Sequence, residues 1–228
     1  MSSNSHGKSF DIPENWTFKT PEVAAAFDSH VREQLPWYDI ATGIVAHVAR
    51  HYVPENGTVI DVGASTGNVG RAISKTLSDR QARLIAIDNA ADMAERYQAP
   101  GEMIVSDVLA FDFQPYKPDL IVAFLALMFV PVANRAGVVR QMVNAIQPGG
   151  AVLVFDKMAA RAGHIGSVIY RLTLAAKYEN GAPADEIIQK ELSLAGVQRP
   201  MTEAELPGFD PIFRFGDFAG FIYERPAI

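Results

Sequence analysis

The chain has 228 residues, of which 49% are hydrophobic, and it contains no cysteine. This composition suffices for one large hydrophobic core, and the lack of thiols excludes disulfides and thiolate metal sites. Twenty basic residues against 26 acidic residues give a net charge of −6. Since dedicated nucleic-acid-binding proteins usually have a basic surplus, the charge balance argues against direct nucleic-acid binding.

The sequence also argues against membrane insertion and secretion. The first ten residues, MSSNSHGKSF, are polar and lack the apolar core of a signal peptide. The most apolar run, 120–131, spans 12 residues, whereas a bilayer-spanning helix needs about 20. We therefore expect a cytoplasmic protein. His47 and His51 are four residues apart on a predicted helix, but no third ligand accompanies them and no metal site is predicted.

An alternation of strands and helices dominates the middle of the chain. Residues 1–20 are expected to form an N-terminal arm, and helical spacing follows over 21–52, where Pro36 interrupts it. The predicted strands are then 58–63, 83–88, 102–107, 119–127 and 151–158, and the predicted helices between them are 67–77, 90–97 and 135–146. Strands that are apolar throughout and separated by helices indicate a parallel sheet covered on both faces.

The last third of the chain departs from this alternation. Helical spacing at 165–178 and 186–195 predicts a helical cap inserted over about 159–200, and two strand-like runs around Gly216 predict a terminal hairpin. The sequence therefore predicts an α/β domain over 21–228. Its fold class is a doubly wound, Rossmann-like, seven-stranded and mostly parallel sheet with an antiparallel C-terminal hairpin.

The stretch TVIDVGASTGN, 58–68, marks a candidate ligand-binding loop. The strand ends near Asp61, and Gly63 and Gly67 allow a tight turn and close approach of the backbone to a ligand. No GK[ST] follows, so the loop is not a P-loop, and the second glycine of the dinucleotide pattern GxGxxG is missing. On the loop alone, a plain tight turn stays an equal alternative.

The next two predicted strands also end in acidic residues, Asp88 and Asp107. An acid after the second strand can accept hydrogen bonds from both ribose hydroxyls, and one after the third can accept from an adenine amino group. Asp88 could instead cap the helix that starts at Ala90. Three successive strands that end in aspartate predict a nucleoside site with room for an amine, and S-adenosylmethionine fits that description.

With these motifs the chain resembles class I S-adenosylmethionine-dependent methyltransferases. Within them it is similar to the carboxy-S-adenosylmethionine synthases of tRNA wobble-uridine modification. The resemblance extends over nearly the whole chain, and the motifs that carry it are NWTF, VAAAFDSHV, PWY, DVGAS, IAIDN, QPGG, ENG and EIIQK. It implies S-adenosylmethionine or its carboxy derivative as cofactor, a small-molecule substrate and a homodimer.

The resemblance also implies a set of cofactor contacts. The positions that match are Tyr38, Gly63, Ala64, Ser65, Asp88, Asn89, Asp107 and Val108. The predicted cofactor site adds Asp61 and Gly67 from the loop, and Phe124, which stands where the family has asparagine. A second departure lies in the cap, where the arginine that holds the added carboxylate in the family falls on Glu191.

The glutamate at position 191 determines which reaction we predict. The family captures carbon dioxide from prephenate on a sulfonium ylide, and a glutamate would repel the carboxylates involved, by roughly 4 kcal/mol at about 4 Å and an effective dielectric near 20. We therefore predict a methyltransferase with a small-molecule or tRNA-pathway acceptor. A carboxy-S-adenosylmethionine synthase and a non-catalytic cofactor-binding relative are the alternatives. In the former, Glu191 would face solvent and Arg161, Arg171, Lys177 or Arg199 would supply the positive charge.

No residue is predicted as the catalytic base. Methyl transfer needs positioning and, for a protonated nucleophile, a general base, for which the cap offers Glu191, Tyr170 and Tyr178. Each has an ordinary alternative, since tyrosines at helical spacing usually pack and glutamates are usually solvated. The substrate-binding candidates are Arg171, Glu191 and Arg199.

Overall fold

The computed structural model describes residues 12–227. The predicted N-terminal arm lies in part outside these residues. Within them, Trp16 is buried, and its backbone N–H donates to the carbonyl of Ser193 at 2.9 Å. The division into arm, domain and cap stays a prediction.

The order of the elements follows the predicted alternation. The helices are α1 (Pro21–Gln34), α2 (Tyr38–Tyr52), α3 (Asn68–Asp79), α4 (Ala91–Ala94), α5 (Val132–Ala145), α6 (His164–Glu179) and α7 (Ala184–Ser193). The strands are β1 (Thr58–Val62), β2 (Arg83–Asp88), β3 (Glu102–Val105), β4 (Leu120–Phe124), β5 (Ala151–Lys157), β6 (Asp210–Phe215) and β7 (Phe218–Glu224). Helices α6 and α7 stand where the cap was predicted.

The strands form one seven-stranded sheet in the order β3-β2-β1-β4-β5-β7-β6. Strands β1 to β5 are parallel, and β7 runs antiparallel to both β5 and β6. This confirms the predicted fold class. The strand order reverses between β1 and β4, and in open α/β sheets the crevice beyond the carboxyl ends at such a point is where ligands bind.

Two hydrophobic layers cover the two faces of the sheet. Ile60 and Ile121 belong to the layer that includes Met142 of α5, whereas Val59 and Val122 belong to the layer that includes α2. Consecutive residues of a strand thus enter opposite layers, as the pleat requires. The sheet is buried on both faces, as its continuous apolar strands predicted.

Arg135 of α5 is a fully buried cation that joins two loops beside the sheet. Its guanidinium donates to the carbonyl groups of Val130, Met128, Pro200 and Arg199, and it lies 3.5 Å from the carboxylate of Glu205. The first two carbonyls belong to the segment after β4, and the others to the segment after the cap. Arg135 therefore fixes both loops to the end of α5.

We expect Arg135→Leu to destabilise the protein strongly. Leucine cannot donate hydrogen bonds, so the substitution leaves buried carbonyls unpaired and removes the partner of Glu205, at a cost of about 3 kcal/mol in the free energy of unfolding. The midpoint of thermal unfolding should fall by roughly 10 °C. The matched control is Arg140→Leu on the exposed face of the same helix, which should stay within about 0.5 kcal/mol. Equal effects of the two substitutions would contradict this role.

Candidate functional site

A cavity of about 240 Å³ lies at the carboxyl ends of β1, β2 and β4, where the strand order reverses. Helix α1 and the segment before it line one side, and residues of the cap line another. The lining is rich in aromatic side chains: Trp16, Phe18, Phe27, Tyr38, Phe124 and Phe129. The predicted loop, the ends of β2 and β3, and part of the cap therefore meet at one cavity.

Pairing with β2 shapes the loop after β1. The N–H groups of Gly63 and Ala64 both donate to the carbonyl of Ile87, at 2.9 and 3.0 Å. Gly63 has a φ of +71°, and a Cβ there would lie 2.7 Å from the Cβ of Ala126, so both conformation and space require glycine. Gly67, with a φ of +94°, precedes α3 and does not line the cavity.

Asp88 holds the loop and lines the cavity at the same time. One carboxylate oxygen accepts from the backbone N–H of Ser65 at 2.8 Å, and the other accepts from that of Ala90 at 2.9 Å. Burial raises the pKa of Asp88, while these backbone donors lower it. Asp88 thus fixes the turn before α4, but it does not cap that helix, whose N-cap is Ala90 without a side-chain capping hydrogen bond. Asn89, next to it, lines the same cavity.

The end of β3 contributes Asp107 and Val108 to the same cavity. The carboxylate of Asp107 accepts from the backbone N–H of Leu109 at 2.9 Å, and the side chain is exposed. Strand β3 ends at Val105 and not at Asp107 as predicted, and Asp107 lies in the turn that follows the strand.

Asp61 is buried directly behind the loop, 1% exposed, and it does not itself line the cavity. Within residues 12–227 neither of its carboxylate oxygens has a hydrogen-bond partner. Burial and, to a smaller extent, the negative charge of Asp88 together raise the pKa of Asp61 to about 8. A buried carboxyl group without donors stays protonated unless a cation comes beside it.

Tyr38 and Phe124 form an aromatic wall of the cavity. Their ring centroids are 5.3 Å apart in an edge-to-face arrangement, and the guanidinium of Arg32 lies 5.2 Å from the centre of the tyrosine ring. Phe124, at the position where the family has asparagine, also packs on Phe155. This wall is therefore apolar where the family pattern is polar.

Glu191 lines the cavity at the cap end, and it does not face solvent as one alternative proposed. Its carboxylate accepts from Nζ of Lys177 at 2.7 Å and lies 3.7 Å from Nζ of Lys157. Burial raises the pKa of Glu191, but the two lysines lower it more, so that the net shift is downward. Glu191 is thus an ionised carboxylate held by two cations.

Sequence reasoning missed two of the lysines that line this end, Lys157 and Lys190, and named Lys177 only within an alternative. A usable signal existed for Lys157, since it ends β5 just as Asp88 ends β2. The rule that carboxyl ends of parallel strands face the ligand applies to it equally. For Lys190, the only local signal is its place beside Glu191.

Four of the cap candidates are not brought to the cavity: Tyr170, Tyr178, Arg171 and Arg199. Tyr178 is 64% exposed, and Arg171 and Arg199 are exposed as well. The buried face of α6 includes Thr173 and Lys177. The roles assigned to the four candidates stay predictions, with no contact between them and the cavity.

Helix α1 closes the cavity as a lid, a feature that the sequence did not reveal. Asp28 on this helix accepts hydrogen bonds from Thr66 at 2.5 Å, Asn68 at 2.8 Å and Arg71 at 2.7 Å. The lid is thereby attached to the loop and to α3. Farther along α1, the amide group of Gln34 lines the cavity and has no hydrogen-bond partner within residues 12–227.

The described part of the chain, residues 12–227, offers neither a cluster of metal ligands nor a membrane-spanning helix. No three or more histidine, cysteine, aspartate or glutamate side chains cluster there as metal ligands, and His47 and His51 contact each other on the surface at 4.8 Å between ring centroids. No helix of that part is long and apolar enough to cross a membrane.

Comparison with known proteins gives matches to methyltransferases. Residues 59–150 match a family profile described as "Methyltransferase domain". This segment begins in β1 and ends just before β5, so that it contains the loop and the ends of β2, β3 and β4.

The curated relatives carry a more specific name. The chain is 28% identical to the carboxy-S-adenosyl-L-methionine synthase of Staphylococcus epidermidis, over 92% of this chain and 97% of that protein. The synthase of Wolinella succinogenes is also 28% identical, over 89% of this chain and 91% of that protein.

Solved structures support the fold. Human N-acetylserotonin methyltransferase, solved with S-adenosylmethionine, superposes with a TM-score of 0.56 at 11% identity, over 92% of this chain and 57% of that one. The domain match and the curated relatives indicate an S-adenosylmethionine-dependent transferase, as predicted. Residues 59–150 thus match a methyltransferase domain, the fold resembles that of solved methyltransferases, and over most of its length the chain is similar to carboxy-S-adenosylmethionine synthases.

Proposed function

We propose that the protein binds S-adenosylmethionine and transfers its methyl group to a small-molecule acceptor. The observation that supports this reaction above the others is the pairing of Glu191 with Lys177 and Lys157 inside the cavity. The protein thereby has a carboxylate, already paired with two lysines, at the position where the resembling family has the arginine that holds the carboxylate of its product.

The cofactor site supports the first half of the proposal. Asp88 and Asn89 would bind the ribose hydroxyls, and Asp107 and Val108 the adenine, since they lie at or just after the carboxyl ends of adjacent strands and line one cavity. The amine of the cofactor would lie toward Asp61, whose buried carboxyl group lacks a hydrogen-bond partner in the described region. The ammonium group at this point would stabilise the ionised form of the carboxyl group, which burial otherwise disfavours.

The lining of the cavity supports the second half. The bound cofactor supplies an activated methyl group on a positively charged sulfur, so the chain needs to contribute position, exclusion of water and a proton acceptor. The aromatic wall of Tyr38 and Phe124 excludes water and presents ring faces, which attract a cation. The lid formed by α1 closes the cavity on the other side.

A carboxy-S-adenosylmethionine synthase is the second candidate, and two observations favour it. The curated relatives of that name match over most of both chains. In addition, Lys177 and Lys157 would offer positive charge to a substrate carboxylate if Glu191 moved away from them. A tRNA-pathway acceptor and a homodimer also rest on the resemblance and stay proposals.

Cofactor binding should release a proton from Asp61. Without ligand, burial holds the pKa of this carboxyl group at about 8, so it is protonated at pH 6.5, and the ammonium group of S-adenosylmethionine should favour its ionised form. Titration calorimetry at that pH, in two buffers of different ionisation enthalpy, should show release of about one proton per bound cofactor. The release should fade above pH 8, where the free carboxyl group is already ionised.

The matched variants are Asp61→Asn and Asp79→Asn, the latter on the exposed end of α3. Asp61→Asn should bind S-adenosylmethionine roughly 10- to 100-fold more weakly, since it loses a hydrogen bond between charged groups, and without proton release. Asp79→Asn should behave like the unmodified protein. Unchanged proton release in Asp61→Asn would refute the role of this residue.

Mass spectrometry of the reaction products separates the two candidate reactions. With S-adenosylmethionine and prephenate, the unmodified protein should give no carboxylated cofactor, because Glu191 occupies the cations that would hold the new carboxylate. Glu191→Arg removes this anion and adds a cation, so any carboxylation should increase in that variant. Carboxylated cofactor formed by the unmodified protein, or recovered from it after purification, would establish the second candidate instead.

A further inference from the structure

At the cap end of the cavity, the lysines outnumber the carboxylates. Three lysines line it there, Lys157, Lys177 and Lys190, and Glu191 is the carboxylate among them. Glu191 pairs with Lys177 and with Lys157, and Lys157 also lies 3.7 Å from Asp217. Within the described part of the chain, Lys190 forms no ion pair. It is therefore the lysine of the three that has no carboxylate as a direct partner.

The surroundings of Lys190 disfavour a positive charge. The side chain is 8% exposed, and its Nζ lies against the indole ring of Trp16. Burial lowers the pKa of Lys190 well below its ordinary value, and the positive charge of Lys177 lowers it further, while Glu191 raises it only in part. Although the face of an indole ring attracts a cation, the amine is withdrawn from water and lies near another cation, and the net effect disfavours its charged form.

The charged groups on the elements around Lys190 are few. Helix α1 presents His30. Burial and the charges of Lys190 and Lys177 lower the pKa of His30 to about 3, so its side chain is neutral. Helix α6 presents Lys177, and β5 presents Lys157 farther off in the same cavity. Its own helix, α7, carries Glu191 and, one turn earlier, the buried Glu186.

We propose that Lys190 lies in the cavity as a neutral amine and takes the proton from the methyl acceptor. This inference rests on the proposed methyl transfer. In that step the lone pair of Nζ accepts the proton of the acceptor's N–H or O–H group, and the acceptor atom forms a bond to the methyl carbon. The bond between this carbon and sulfur breaks, its electron pair stays on sulfur, and a neutral thioether and an ammonium group on Lys190 result.

Lys190 suits this role better than the base candidates that the sequence suggested. Glu191 is an anion stabilised by two cations, which makes it a weak proton acceptor. Tyr170 is 42% exposed and does not line the cavity. A buried amine without an ion pair is, in contrast, a familiar way to obtain a base near neutral pH.

Nuclear magnetic resonance can test the charge of Lys190 without knowledge of the acceptor. The chain contains seven lysines, so ¹³C-lysine labelling gives few Cε signals, and Lys190→Met identifies one of them. That signal should titrate well below the ordinary pKa of about 10.4, and it should be absent from Lys190→Met. Titration of this signal at the ordinary pKa of a lysine side chain would overturn the proposal.

Kinetics then tests the role in catalysis, with an acceptor found by screening amines, phenols and carboxylic acids with S-adenosylmethionine. The rate should rise with pH through the titration of Lys190 and then level off. Lys190→Met should lose roughly 100-fold in kcat, the usual scale for removal of a general base, yet bind S-adenosylmethionine as before, and Lys75→Met should be unaffected. A full rate in Lys190→Met would refute the inference.

The proposed function and the proposed role of Lys190 can be refuted independently of each other. If the unmodified protein does not bind S-adenosylmethionine, the proposed function is wrong, and the magnetic resonance titration still reports the state of Lys190. If cofactor binds and methyl transfer occurs with the same pH profile in Lys190→Met, only the role of Lys190 is wrong. Lys190→Arg gives a further check, because an always-charged side chain of similar length should not restore the rate.

Discussion

The contact between Glu191 and Lys177 is the interaction on which the candidate site depends. It joins the two cap helices to each other, and through Lys157 it joins them to the end of β5. These charges are largely withdrawn from water, and a buried charge without its partner is costly. The cap therefore holds its position over the sheet because three elements share one carboxylate. The same contact closes the cavity and determines which charges remain available inside it.

At the opposite end of the cavity, the acidic residues already accept hydrogen bonds from groups of the protein. Asp88 accepts from the N–H groups of Ser65 and Ala90, and Asp28 attaches the lid to the same loop. Holding the backbone and binding a ligand are compatible in one carboxylate, because its oxygens have more lone pairs than the backbone uses. The loop is held in place without a ligand, which reduces the ordering that binding has to bring about.

The fold could be predicted from the sequence because it depends on local signals. Each signal involves only a few neighbouring residues: apolar runs of strand length, glycines at the turn after β1 and acids near the strand ends. The strand order then follows from the rules of doubly wound sheets. The cap could not be predicted in the same way. Whether Glu191 faces solvent or two lysines depends on how α6 and α7 lie over β5, and the periodicity of either helix carries no such information. The hydrogen bonds by which Asp28 attaches α1 to the loop, and the buried amine of Lys190, also depend on contacts between distant segments. The sequence did not indicate them for that reason.

Under the proposed function, this division between sheet and cap would let one charge reversal alter the reaction and leave the cofactor site intact. The loop after β1 and the end of β2 are held by hydrogen bonds to Asp88, whereas Glu191 contacts the sheet through Lys157 at the end of β5. The cap contributes the acceptor side of the cavity, where arginine in the resembling family would attract a carboxylate and glutamate instead binds the nearby lysines. Because the methyl group of a sulfonium is already activated, such a change needs no new machinery for its transfer. It needs only a proton acceptor in the cavity, and a lysine without an ion pair satisfies that requirement.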